Sequence, residues 1–393
     1  MLKRLLPLLT LAAAPLPAHA QTPPPVGPEA QTPTITVRST LVLVPALVRT
    51  SSKQSGQLVY TLKASDFLLT DDGVPQPLTL EEDTGDQPLA LVICVQTGGA
   101  GAAHLADYRD LSPLLDNIVG AVEHKVALVG FDAAPTLLHG FTPNVAFIQQ
   151  SLDDLDPGDP SLPATHGAAM LDALAFSVDL LRNQPTTYRR AVLLLSETLD
   201  DGSHTSIEDA LRDLSDTNTL IYTAAFSSSR TQVRHEAGKF GYAGAAPTPP
   251  GPAHGCFSRA PDAANGTDAE GQPAAPTQSA AAQDFDCLAQ LLPPLRLARI
   301  AEIAAVNSLR RNVPETVAHL TGGEYYSFKD AKSLQRDLFT ISNHVPNRYF
   351  LSFHPQSPHP GLHALTLKLP AYPQLSLEAR SSYWVDEDAP PAH

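Results

Sequence analysis

Cations are scarce in this chain. Its 26 Lys and Arg stand against 41 Asp and Glu in 393 residues, a net charge of −15 at pH 7. Such a field repels a phosphate backbone, so nucleic acid is excluded as a partner. Cysteine is sparse as well, at three residues, and none stands in the CxxC or CxxxH spacing of a zinc centre. After Ala20 no apolar run approaches the length of a membrane span. The sequence has no Gly-x-Ser-x-Gly elbow to present a nucleophile. Gly98-Gly99-Ala100-Gly101 lacks the Lys-Ser/Thr of a phosphate loop, and His235-Glu236 lacks the second histidine of a zincin helix. These absences predict no enzyme, no cofactor and no metal.

What is present begins with an export signal. Lys3 and Arg4 form a charged start, Leu5 to Ala14 an apolar run, and Ala18-His19-Ala20 a cleavage site. The expectation is a cleaved signal peptide (1–20) and a soluble secreted or periplasmic chain, more acidic for the loss of two cations. Gln21 to Thr34, rich in Pro, Gln and Thr, reads as a mobile leader (21–34). Strand signals follow over 35–85: Thr36 to Arg38, Leu41 to Val48, Gln57 to Thr61, and Asp66 to Thr70. Asp71-Asp72-Gly73 then makes a hairpin-type turn before Val74 to Leu80. Val42, Val44, Val48, Leu58, Tyr60, Phe67 and Leu69 are the expected core of this β-module.

The chain is organised around Pro88 to Gly101. Leu89 to Val95 is unbroken apolar sequence closed by Gln96-Thr97-Gly98-Gly99, the pattern of a central parallel strand buried on both faces. Helix and strand signals then alternate. Leu111 to Val122, Val145 to Leu155, Gly167 to Arg182 and Ser206 to Ser215 read as helices; Lys125 to Phe131, Arg190 to Ser196 and Thr219 to Phe226 read as strands, with an edge strand at Pro135 to Phe141. Ser227 to Pro294 interrupts them with Pro, Ala, Gly and Gln and reads as a surface insertion (about 228–294). Helical signals resume at Leu297 to Ala304 and Val313 to Leu320, and a final helix, Ala331 to Ser342, is capped by Asp330. Strands at Glu324 to Ser327, Arg348 to Phe353, Leu362 to Leu369 and Leu375 to Ala379 complete the chain. The prediction is a doubly wound, mostly parallel α/β sheet over 86–343, Rossmann-like in type. Tail strands in 344–385 need partners, and the N-terminal module supplies them. Both chain ends should therefore build one small β-domain.

Ligands of open α/β sheets bind outside the carboxyl ends of the strands. Gln96, Thr97, Gly98, Gly99, Thr165, His166 and Glu197 converge there in this topology and form the candidate binding surface. Asp200 and Asp201 share the Glu197 loop, which reads equally as a solvated turn before a capped helix. Cys94 lies inside the central strand as a buried thiol, whereas Cys256 and Cys287 flank low-complexity sequence and invite a disulfide in an oxidising compartment. His104, His124, His139, His354, His359 and His363 show no ligand spacing, and the run Asp153, Asp154, Asp156, Asp159 reads as a solvated loop.

Several pieces in this order resemble a known family. They are Asp66-Phe67 with Asp72-Gly73 and Gln76, LVICVQTGG, HGAAMLDAL, LLLSETLDDGS, and TGGEYY with RYFLSF. Together, from Leu41 to Trp384, they resemble the von Willebrand factor A fold, and more closely the VWFA-related family named from acidobacterial genomes. The resemblance implies a module for protein interaction or adhesion. Typical A domains hold Mg²⁺ in a metal-ion-dependent adhesion site through Asp-x-Ser-x-Ser, a Thr and a later Asp. Aligned on the strand end, those positions fall here on Val95, Thr97, Gly99, Ala168 and Glu197. Only Thr97 and Glu197 keep an oxygen, with Thr165 near enough to Ala168 to substitute after a loop shift. Mg²⁺ demands near-octahedral oxygen ligands, so the site reads as degenerate. Metal-independent binding to a protein or cell-envelope ligand is the expected function. A divalent-cation-dependent adhesion module is the alternative, and an envelope hydrolase without a motif comes last.

Overall fold

The computed structural model describes residues 41–51, 56–81, 87–109, 111–155, 167–227, 311–356 and 359–386. The expected signal peptide, leader and insertion, with Cys256 and Cys287, lie outside the described residues, as do Thr165 and His166.

The first strand, β1 (Val42–Thr50), is followed by β2 (Leu68–Asp71), β3 (Val74–Gln76) and β4 (Thr79–Leu80). Asp72 and Gly73 join β2 to β3 with φ of 47° and 82°. Positive φ at both central residues matches the strand twist, and Asp-Gly is a favoured pair for it. The expected single strand Val74 to Leu80 is in fact two. Pro77 has no N–H for a ladder; β3 pairs with β2, and β4 crosses to the opposite sheet. Nor is Gln57 to Thr61 a strand, since only Leu58 bridges Arg49. Its backbone turns instead to the Tyr349 hydroxyl, which accepts from Leu62 N and donates to the Val59 carbonyl. Tyr60 is consequently 59% exposed, and Leu62 joins the core in its place.

A six-stranded sheet follows, with β5 (Leu89–Gln96), β6 (His124–Phe131), β7 (Pro135–Thr142), β8 (Arg189–Glu197), β9 (Leu220–Phe226) and β10 (Tyr325–Phe328). The spatial order is β10-β9-β8-β5-β6-β7, parallel except for the antiparallel edge strand β7. Among the described residues six helices cover it: α1 (Ser112–Val119), α2 (Val145–Asp153), α3 (Met170–Arg182), α4 (Ile207–Asp216), α5 (Val313–Thr321) and α6 (Ala331–His344). The two-residue period of β5 divides them. Leu89, Leu91, Ile93 and Val95 pack with α1, α2 and α6, whereas Ala90, Val92 and Cys94 pack with α3, α4 and α5. Burial pushes the Cys94 thiol up to about 12, so it is an inert core group. Side-chain caps start four helices, from Asn144, Ser206, Asn312 and Asp330. Helix α3 begins three residues later than expected, because Ala168 is held in an extended bridge to Asp201.

The last strands, β11 (Tyr349–Phe353), β12 (Gly361–Lys368), β13 (Leu375–Ala379) and β14 (Ser382–Val385), return to the first. They form two antiparallel sheets, β13-β1-β11-β4 and β14-β12-β2-β3. Val44, Val48, Leu69, Leu351, Phe353, Leu365 and Tyr383 fill one core between these sheets. Both chain ends meet in this sandwich. Strand β14 has no counterpart in the sequence reading.

A buried charge cluster ties the sandwich to the parallel sheet. Arg348 has no exposed side-chain surface; it donates to Glu324 Oε2 at 2.7 Å and to the Gly322 carbonyl at 2.6 Å. His344 Nδ1 stands 2.7 Å from Glu324 Oε1, which also accepts from the Tyr326 hydroxyl. Arg380 bridges the same two parts, donating to Asn218 Oδ1 at 2.7 Å and to the Leu43 carbonyl at 3.1 Å. Burial alone would raise the Glu324 carboxyl, but His344 and Arg348 outweigh it and hold its pKa below the ordinary 4.5. A depressed carboxylate contributes stability above its unfolded pKa, and that contribution is lost as pH falls through the folded one. Glu324→Gln should therefore flatten the acid limb of the stability profile below about pH 4.3. By stranding the Arg348 cation it should also cost about 3–5 kcal/mol at neutral pH, measured by urea denaturation.

Candidate functional site

Counted within the parallel sheet, the strand order is the doubly wound 3-2-1-4-5-6, and its direction of winding reverses between β5 and β8. The crevice outside the carboxyl ends at such a reversal is where ligands of these folds bind. Gln96 ends β5 and Glu197 ends β8, and here they face each other across that point.

Their side chains lock together. Gln96 Nε2 donates to Glu197 Oε1 at 3.0 Å, and the Glu197 backbone N–H returns a bond to Gln96 Oε1 at 2.9 Å. Gln96 Nε2 also reaches the Gly98 carbonyl at 3.3 Å. Gln96 has no exposed surface and Glu197 only 4%. Both ends of the amide are thus engaged, one as donor and one as acceptor. Thr97 turns the other way, donating its hydroxyl to the Phe131 carbonyl at 3.2 Å. The partner of Glu197 at the strand ends is accordingly Gln96, with Thr97 given to β6.

The loop after β5 closes over this pair. Gly99–Tyr108 is a 3₁₀ helix, where the sequence suggested only a turn, and it buries Leu105 and Tyr108. A Cβ at Gly101 would stand 2.3 Å from the Gln96 carbonyl oxygen, so only glycine permits that approach. Gly98 is half-buried, and Gly99 faces solvent.

The acidic loop after β8 is tied to the start of α3. Asp200 Oδ1 accepts from Met170 N at 2.8 Å, from Leu171 N at 3.1 Å and from Ser203 Oγ at 2.6 Å. Asp172 accepts from the backbone N–H of His204 and of Thr205. Burial works against its charge, but these bonds outweigh it and hold the Asp172 carboxyl below its usual range. The loop is thereby a helix-capping device.

An A-domain cation site does not fit these residues. Val95, at the position of the principal carboxylate, has no exposed surface and packs with Leu105 and the rest of one core face. Glu197 already accepts from an amide, and Thr97 Oγ1 is committed to a carbonyl. Of the aligned positions only Glu197 brings a charge, and only Glu197 and Thr97 bring a side-chain oxygen, too few for the near-octahedral shell of a hard ion.

A second convergence lies in the sandwich, among residues that sequence spacing did not connect. His363 Nδ1 is 3.0 Å from Asp71 Oδ1 and 2.8 Å from Asp72 Oδ2. His359 Nε2 is 3.1 Å from the same Asp72 oxygen. The two rings stack at 3.9 Å, and His363 stacks in turn on Tyr383. A paired signal did exist, in His359-x-x-x-His363 and the adjacent acids of the β2–β3 turn. The two halves are far apart in sequence, so spacing alone does not join them.

No family model and no curated protein sequence matches this chain. Among solved structures it is similar to BatB, a conserved hypothetical protein from Bacteroides thetaiotaomicron, at 13% identity and a TM-score of 0.35, covering 65% of this chain and 99% of that one. It is similar also to an aerotolerance-related membrane protein from Bacteroides fragilis, at 14% identity and a TM-score of 0.33, with 65% and 98% covered. The SpRpn10 VWA domain is a third, at 12% identity and a TM-score of 0.28, with 38% and 81% covered.

The Gln96–Glu197 lock makes a stability prediction. Gln96→Leu removes the amide and leaves a buried carboxylate oxygen and a backbone N–H without it, at a cost of about 1–3 kcal/mol. Gln96→Glu should be worse, since it sets two carboxylates against each other. Urea melts of the two variants beside wild type measure the order.

Proposed function

We propose that this protein is a non-enzymatic, extracytoplasmic binding or scaffold module of von Willebrand A-like architecture. Its ligand, a protein or cell-envelope component, engages the folded surface without a cation at the strand ends. The observation that carries this reading is the reciprocal Gln96–Glu197 pair, which occupies the reversal point of the sheet with groups that satisfy each other. Those groups neither present a nucleophile nor leave a carboxylate turned to solvent. The resemblance to the acidobacterial VWFA-related family supports the same class, with a degenerate adhesion site as its variation on it. Lys3, Arg4 and Ala18-His19-Ala20 support export by a cleaved signal. Among the described residues no helix is long and apolar enough to cross a membrane.

Mg²⁺ separates this reading from cation-dependent adhesion. Calorimetric titration of wild-type protein with Mg²⁺ is expected to give no saturable site, and its melting temperature should not rise with free Mg²⁺, as linkage would demand of a native-state ligand. A stoichiometric Mg²⁺ site abolished by Glu197→Ala would overturn the proposal. Export is tested separately: N-terminal sequencing of protein from its native host should start at Gln21, and a retained Met1 would refute the signal.

A further inference from the structure

The sandwich holds a cluster of donors that the proposed function does not use. The β2–β3 turn sets Asp71 and Asp72 side by side, and Asp72 takes a left-handed φ of 47° that short polar residues tolerate. Strand β12 runs antiparallel to β2, with Leu365 opposite Asp71, which brings His363 onto the turn. His359 reaches the same point from the segment that enters β12. Donor atoms of Asp72, His359 and His363 all lie within 4.8 Å of one another.

Every one of these groups is held by its far atom, which leaves a near atom pointing inward. His359 Nδ1 bonds the Pro360 carbonyl at 3.0 Å, so Nε2 faces the cluster. His363 Nε2 bonds the His359 carbonyl at 2.8 Å, so Nδ1 faces it. Asp72 Oδ1 accepts from Ala364 N at 2.9 Å and turns Oδ2 inward. Asp71 Oδ2 accepts from the Tyr383 hydroxyl at 2.7 Å and turns Oδ1 inward. Metal-ligating histidines are oriented in this way, by a carbonyl or carboxylate on the other ring nitrogen, and ligating carboxylates are themselves hydrogen-bonded.

We infer that Asp72, His359 and His363 form a binding site for one divalent cation of the zinc class, with Asp71 held against His363 beside it. Two imidazole nitrogens and one carboxylate oxygen are the donor set of an open zinc site, which leaves a fourth position to water, whereas Mg²⁺ selects oxygen alone. His363 Nδ1 and His359 Nε2 stand 2.8 and 3.1 Å from Asp72 Oδ2, close to the edge of about 3.3 Å in a zinc tetrahedron with bonds of about 2.0–2.1 Å.

Charge is already matched to it. Carboxylate oxygens only accept, so each inward ring nitrogen carries the proton of its bond to Asp71 or Asp72. On binding, the two inward N–H bonds break, two N–Zn bonds form, and two protons leave to water. The Asp71 and Asp72 carboxylates that face the His363 ring draw a metal cation as well. His359 is 18% exposed, against 2% for His363 and 4% for Asp72, so the ion enters over His359. Bound there, it clamps the β2–β3 turn to β12 and stabilises the sandwich by mass action.

This site stands apart from the proposed binding function, in another part of the fold and for a different ion. Titration of metal-free full-length protein with zinc chloride is expected to give one site per chain, with a melting temperature that rises with free Zn²⁺. His359→Gln, at the solvent rim, should keep the fold by circular dichroism and weaken Zn²⁺ at least tenfold. Absence of saturable Zn²⁺ uptake by wild type, or equal affinity in folded His359→Gln, would overturn the inference. Should His359→Gln unfold, Co²⁺ in the wild type decides. An intense four-coordinate visible spectrum supports the site, and a weak octahedral one or none refutes it.

Discussion

A guanidinium removed entirely from water holds the two parts of this fold in register. Arg348 sits at the entry to β11, where the chain leaves α6 and the parallel sheet for the sandwich. Burying one charge is costly unless it is paired, and of the Arg348 nitrogens only Nε lacks a hydrogen-bond partner. Glu324 supplies the charge, the Gly322 carbonyl a further acceptor, and the Tyr222 ring a face at 5.2 Å. Tyr222 comes from β9, Gly322 and Glu324 from the link between α5 and β10, and Arg348 itself from the link after α6. The joint is therefore specific to one arrangement of the sheet and the sandwich, and a slip in either strands a charge.

At the opposite, carboxyl end of the sheet the chemistry is quieter. A doubly wound sheet leaves a polar gap where its winding reverses, and something must fill it. Open sites fill it with ligand or ion. Here an amide and a carboxylate fill it with each other, beneath a 3₁₀ turn admitted by Gly101. The apolar Val95 follows from the same choice, because its side chain lies on the core face and not in the gap.

Much of the fold was legible in the sequence, for a physical reason. Strands buried on both faces read as unbroken apolar runs, which is why β5, β6, β8 and β9 emerge from hydrophobicity alone. The meeting of both chain ends followed from counting strands without partners. Short, half-exposed segments were less legible. Tyr60 has the β-propensity of a core strand residue, but the ladder to β1 stops at the Leu58 bridge, and the Tyr349 hydroxyl takes the Val59 carbonyl and the Leu62 N–H on either side of it. β14 escaped because four residues carry no period. At the strand ends, the sequence brought Gln96 and Glu197 to one place but could not say that they bond each other, 101 residues apart. The histidine–aspartate cluster was hidden more deeply, since His359 lies on the segment entering β12, His363 lies within β12, and their acids lie 287 and 292 residues earlier.

The sandwich also sets the order of events when the chain is made. β1 is central to its sheet, yet both its neighbours, β11 and β13, come from the far end of the chain; Arg49 and Glu378, paired across β1 and β13, are 329 residues apart. Sequence separation of this kind slows folding, because loop closure must precede any contact that rewards it. Among the described strands β1 emerges from the ribosome before the rest, and apart from the nearby Leu58 bridge it waits for β11 and β13 before its ladders can form. During that wait its two unpaired edges and apolar residues are open to other chains. A protein built this way cannot finish folding until its last strands arrive, so a chain crossing a membrane through a narrow pore would cross it unfolded, and the sandwich would close only on the far side.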